Sequence, residues 1–150
     1  MDIPAKEAAH TYETLLAQGH YFIDGAEELL ETLYGQYRMY LVTNGTLSVQ
    51  KGRLKSSGIS RYFEGIFISE ELGYNKPGRE YFDCCFSRIP DFHKETAVII
   101  GDSLTSDIQG GINVGIRTIW FNPSHEKTSE IIPDHEFDSL MKLPKLLSHI

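Results

Sequence analysis

Four short apolar runs set the rhythm of the chain, each followed by a polar turn and most by a stretch with helical spacing. Met39-Tyr40-Leu41-Val42 reads as the first strand and runs into Thr43-Asn44-Gly45-Thr46. Leu47 to Ser57 then reads as a helix closed by Gly58. Ile66-Phe67-Ile68 is the second strand, and Ser69 to Pro77 reads as a loop. Glu80 to Arg88 is helical, with Tyr81, Phe82, Cys85 and Phe86 on its inner face. Ala97-Val98-Ile99-Ile100 forms the third strand, rich in β-branched side chains as buried parallel strands are. A helix over Ile108 to Val114 follows, with Gly110, Gly111 and Gly115 allowing close approach. Arg117 to Phe121 is the fourth strand, His135 to Phe137 a short edge strand, and Ser139 to Leu147 a last helix interrupted at Pro144.

Upstream of these runs the pattern is helical. Ala8, Tyr12, Leu15 and Leu16 share one face of a helix over Ala5 to Gln18, with Gly19 after it. Asp24 and Glu27 have the spacing of a capping box for a second helix, which carries Leu29, Leu30 and Leu33 and ends at Gly35. Strands alternating with helices predict a parallel sheet covered on both faces, a three-layer α/β fold.

Composition narrows the class. A chain of 150 residues, 41% hydrophobic and 23% charged, fits one globular domain. The net charge of -7 argues against nucleic acid or an anionic membrane as partner. No apolar run reaches the length of a membrane span. The amino-terminal residues lack the charged-then-apolar pattern of a signal peptide, and Cys84 and Cys85 read as buried thiols, so a reducing cytoplasm is expected.

The polar residues with chemical content sit at strand ends. Thr43, Asn44 and Gly45 follow the first strand, Lys76 lies beyond the second, and Asp102 and Asp107 follow the third. In open α/β sheets that edge is where ligands bind. Two carboxylates with Ser103 and Thr105 between them suit a hard cation that keeps several waters, most simply Mg²⁺. A hydroxyl with backbone amides, one ammonium and a carboxylate-held cation together describe a phosphate site.

The order of these residues resembles the haloacid dehalogenase (HAD) superfamily of phosphohydrolases. Leu41-Val42-Thr43-Asn44-Gly45 is similar to its second motif, Asn75-Lys76-Pro77 to its third, and Gly101-Asp102-Ser103-Leu104-Thr105-Ser106-Asp107 to its fourth. Within the superfamily the likeness is to the pyrimidine 5′-nucleotidase-like branch. The resemblance implies a Rossmann-like core and a small phosphorylated metabolite as substrate. It implies that Thr43 and the Asn44 and Gly45 amides hold the phosphoryl oxygens, that Lys76 neutralises charge, and that Asp102 and Asp107 form the Mg²⁺ side.

One motif of the family is missing. The sequence contains no Asp-x-Asp, the pair that supplies nucleophile and general acid in the family. At Tyr21-Phe22-Ile23-Asp24-Gly25, Phe22 would stand at the nucleophile position, so Asp24 reads as a helix cap. The resemblance then implies that residues 1–19 are a remnant of the helical cap domain and residues 20–150 the core. It also implies that the central first strand is absent, between the strands ending at Thr43 and Gly101. Two bare strand edges would follow, inviting self-association or a complementing amino-terminal fragment. The chain is expected to be inactive alone, and a non-catalytic phosphate- or nucleotide-binding module is the alternative. A phosphoacceptor receiver domain would place its acids first and its lysine last, the reverse of the order here. No GxxxxGK[ST] and no GxGxxG after a strand occurs, which removes P-loop and dinucleotide readings.

Overall fold

A computed structural model describes residues 22–128 and 130–150. The helix expected over Ala5 to Gln18, and with it the division at residue 19, lies outside the described residues. The elements run α1 (Ala26–Leu33), β1 (Tyr40–Thr43), α2 (Leu47–Ser57), β2 (Gly65–Ile68), α3 (Ser69–Leu72), α4 (Arg79–Ser87), β3 (Val98–Gly101), α5 (Gln109–Val114), β4 (Arg117–Phe121), β5 (His135–Phe137) and α6 (Leu143–Leu147). Every ladder is parallel.

The strands form two sheets. β1 pairs with β2, Thr43 opposite Ile68, and β3, β4 and β5 pair in that order, Gly101 opposite Trp120. Among the described residues nothing pairs with the second edge of β1 or of β3. Among the described residues the sheet is therefore interrupted between Thr43 and Gly101.

The layers nevertheless continue across the break. On one face Tyr81, Phe82 and Cys85 of α4, with Val114 and Ile116, join Phe67 of β2 to Ile99 of β3 in one cluster. On the other face Leu29 and Leu33 of α1 pack with Ile119, Phe137 and Leu143, and Met39 and Val98 border them. Successive β3 side chains alternate between the faces, as strand geometry requires. Ile100 should be covered as fully as Ile99, yet it is 37% exposed against 5%. It opens into a cavity of about 610 Å³ lined also by Ile23, Leu29, Asp102 and Trp120.

Local chemistry explains where the elements differ from the sequence expectation. The amino-terminal cap of α1 is Gly25, in the left-handed region at φ 82°, with no side-chain cap bond, so Asp24 and Glu27 form no capping box. A side chain at Gly25 would meet the sulfur of Met141. The span Ser69 to Pro77 is only partly loop, because Ser69 to Leu72 make one helical turn ended by Gly73 at φ 80°. The segment after β3 begins as a π-helical turn, Leu104–Ile108, and becomes α5 only at Gln109. Cys85 is buried, but Cys84 is only half-buried.

Candidate active site

Lys76 and Asp107 form the centre of the strand-end cluster. The Lys76 ammonium donates to Asp107 Oδ1 at 2.5 Å, with side chains 8% and 10% exposed. It also donates to the Val42 carbonyl of β1 at 3.2 Å. One buried lysine thus touches the end of β1 and the turn after β3, spanning the break at its carboxyl end with a charge-assisted bond.

Glycine makes room for the acid. A Cβ on Gly101 would overlap the carboxylate of Asp107, so that carboxylate folds back over the end of β3. Asp107 Oδ2 accepts from the Ser103 N–H at 3.3 Å, and Ser103 Oγ accepts from the Ser106 N–H.

Thr43 is the last residue of β1 and is half-buried. Its Oγ1 accepts from Gln50 Nε2 at 3.0 Å and donates to the Asn44 carbonyl at 3.2 Å. Its N–H donates to the Tyr81 hydroxyl at 3.0 Å, and that hydroxyl donates to the Phe67 carbonyl at 2.7 Å. Tyr81 is fully buried, and burial drives its phenol well above the ordinary range, so it stays a neutral hydroxyl fastening β1 to β2. In the sequence Tyr81 stands only as a core position and Gln50 only as a helix position. A hydroxyl on an otherwise apolar helix face was the available signal.

The turn after Thr43 differs from the simplest phosphate cradle. The Gly45 N–H donates to Ser69 Oγ at 3.0 Å. The Asn44 side chain is turned to the lysine loop, accepting from the Lys76 N–H at 2.9 Å and donating to its carbonyl at 3.0 Å. Thr43, Asn44, Gly45, Lys76 and Asp107 are all brought together, through contacts within the protein.

Asp102 stands apart from that network. Its side chain is exposed, and its carbonyl accepts from the Trp120 indole N–H at 3.0 Å. Among the described residues no third His, Cys, Asp or Glu joins Asp102 and Asp107 to form a metal-holding group. With Asp107 committed to Lys76, the donor set fits a cation held through Asp102 and completed by water, which suits Mg²⁺ better than a dehydrated ion.

A family model for haloacid dehalogenase-like hydrolases matches residues 3–121. The HAD-hydrolase YfnB of Bacillus subtilis is 45% identical over 138 residues, 91% of this chain and 59% of that protein. Pyrimidine 5′-nucleotidase PynA of Streptococcus pneumoniae is 43% identical over 137 residues, 90% of this chain and 58% of that protein. A crystal structure of YfnB bound to magnesium superposes with a TM-score of 0.93 at 42% identity, covering 98% of this chain and 65% of that one. A 2-haloacid dehalogenase from Pseudomonas syringae gives 0.82 at 26% identity. The chain spans less than two thirds of the length of these relatives. No described helix is long and apolar enough to cross a membrane. The chain belongs to the haloacid dehalogenase-like hydrolase family.

Proposed function

We propose that this chain is the core of a Mg²⁺-dependent phosphohydrolase acting on a small phosphate monoester, with a pyrimidine nucleotide as the favoured substrate. The observation that carries the reading is the buried Lys76–Asp107 pair at the carboxyl end of β1 and β3, beside Thr43 and an exposed Asp102. Thr43 Oγ1 and the Asn44 and Gly45 turn orient phosphoryl oxygens. Lys76 neutralises charge that develops as the phosphoryl group leaves. Asp102, with Asp107 completing the acidic side, would hold Mg²⁺, which would supply electrostatic stabilisation of the phosphoryl charge. The names of PynA and of the Escherichia coli pyrimidine 5′-nucleotidase YjjG, 36% identical over 126 residues, support the nucleotide.

No residue of this set is a carboxylate placed to attack phosphorus, and the sequence holds no Asp-x-Asp. We therefore assign the nucleophile to a separate extended segment that pairs in the break between β1 and β3. The edges of β1 and β3 left unpaired among the described residues and the exposure of Ile100 support this. The test is hydrolysis of uridine monophosphate with Mg²⁺, by the chain alone and with an apolar peptide ending in Asp-x-Asp. Turnover is expected only with both, and Asp102→Asn should abolish it. Tight phosphate binding without turnover under every combination would favour the non-catalytic binding module, which the missing nucleophile also supports.

A further inference from the structure

The lysine loop is tied down by two asparagines on opposite sides. From the β1 turn, Asn44 grips the main chain of Lys76 at both its N–H and its carbonyl, at 2.9 and 3.0 Å. From α5, Asn113 Nδ2 donates to the Pro77 carbonyl at 3.1 Å. Asn113 is itself held, because its Oδ1 accepts from Gln109 Nε2 at 2.8 Å and its carbonyl from Arg79 at 2.5 Å. Asn113 lies six positions after Asp107 on one continuous helical run, the π-helical turn and α5. The Lys76–Pro77 pair is therefore fastened twice to that run, once by ammonium to Asp107 and once by carbonyl to Asn113.

We infer that Asn44 and Asn113 are positioning residues that set where the Lys76 ammonium stands. The inference rests on the phosphohydrolase reading for its purpose, but its geometry is independent of it. Lysine is a long, flexible point charge, and four rotatable carbons give its head wide reach. Three hydrogen bonds to the main chain fix where that stem starts, so that its head reaches Asp107 and the Val42 carbonyl before any phosphate arrives. Positioning within fractions of an ångström is what charge stabilisation of a transferring group demands. Both asparagines are exposed, so each bond adds little to stability, while the pair they aim is nine-tenths buried. An exposed residue with small energetic weight and a fixed mechanical task is what the arrangement describes.

The test uses the chain as it stands, with inorganic phosphate as the probe. A buried, ion-paired ammonium exchanges its protons slowly and gives a resolved ¹⁵N signal. Asn113→Leu and Asn44→Leu should each broaden or erase the Lys76 signal and weaken phosphate binding roughly threefold to tenfold. Melting temperature should fall by only a few degrees. Asn113→Asp keeps an acceptor for Gln109 but sets a carboxylate oxygen against the Pro77 carbonyl in place of the donor, so it should show the same loss in a fold left intact. An unchanged Lys76 signal in folded Asn113→Asp and Asn44→Leu overturns the inference, as does a steep loss of stability with the signal preserved. If the unmutated chain binds no phosphate, or Lys76→Met leaves binding unchanged, the phosphohydrolase reading fails; the ammonium signal then decides the positioning role by itself.

Discussion

The two half-sheets differ in how they are held. The three-stranded half is close to self-sufficient: Thr118, Ile119 and Trp120 of β4 are 2% exposed or less, and helices cover both its faces. The two-stranded half is thinner. Every residue of β1 is only half-buried, and α2, which follows it, buries Val49 alone. A lone pair of short strands is marginal in water, so this half depends on α4 packing beneath it, on the Tyr81 hydroxyl and on Lys76. The site spans the seam, with hydroxyl and lysine from the weaker half and acids from the stronger one. The seam thus carries the chemistry, and through the Lys76–Asp107 pair it also carries part of the stability of the weaker half.

The largest effect should come from Asp107→Asn. It leaves the Lys76 ammonium buried without a counter-charge, which typically costs about 3–5 kcal/mol. Urea unfolding should show that loss. Hydrogen exchange should show β1 and β2 amides losing protection while β4 keeps most of its own. Equal loss in both halves would break the comparison.

Gly111→Ala attacks the stronger half instead. A Cβ there would lie 2.5 Å from Ile99 Cγ2 and 2.6 Å from Thr118 Cγ2. Overpacking of that kind costs about 1–3 kcal/mol. Its exchange signature should be the reverse, centred on β3 and β4. Tyr81→Phe is smaller, about 1–2 kcal/mol, because it removes one hydroxyl and leaves the Phe67 carbonyl short of a donor. Its effect should be confined to the carboxyl ends of β1 and β2, read as faster exchange of the Thr43 amide.

The smallest effect lies at the opposite end of the same two strands. The Tyr40 hydroxyl and the Arg38 guanidinium hold the Glu64 carboxylate below its ordinary range. Its ionised form therefore favours the fold, fully above the carboxylate's unfolded value and fading as pH falls through the depressed one. Glu64→Gln should remove a slight acid sensitivity of melting between about pH 5 and 3. At neutral pH it should change little, since the group is solvent-facing.

Much of this was legible in the chain itself. The runs ending at Thr43 and Gly101 announced strands because apolar residues stopped abruptly at polar turns. Arg117 to Phe121 was read to the residue because its neighbours are unambiguous on both sides. The edge strand His135 to Phe137 matches to the residue as well. The first and third strands each shift by one residue, since their last positions, Thr43 and Gly101, look like turn residues by composition, and the second gains Gly65 at its start. The capping box failed because a left-handed glycine can open a helix without any side chain, which spacing alone does not reveal. Asn113 and Tyr81 were invisible as site residues for another reason. Each acts through a bond 36 or 38 positions away, and only the fold brings those partners together.

Trp120 gives the chain an optical consequence. It is the single tryptophan, almost wholly buried, and its indole N–H is bonded to the carbonyl of Asp102. The residue that would meet a cation and the residue that dominates the near-ultraviolet emission are therefore joined by one hydrogen bond. Intrinsic fluorescence becomes a built-in gauge of the turn after β3, readable without a label and without turnover.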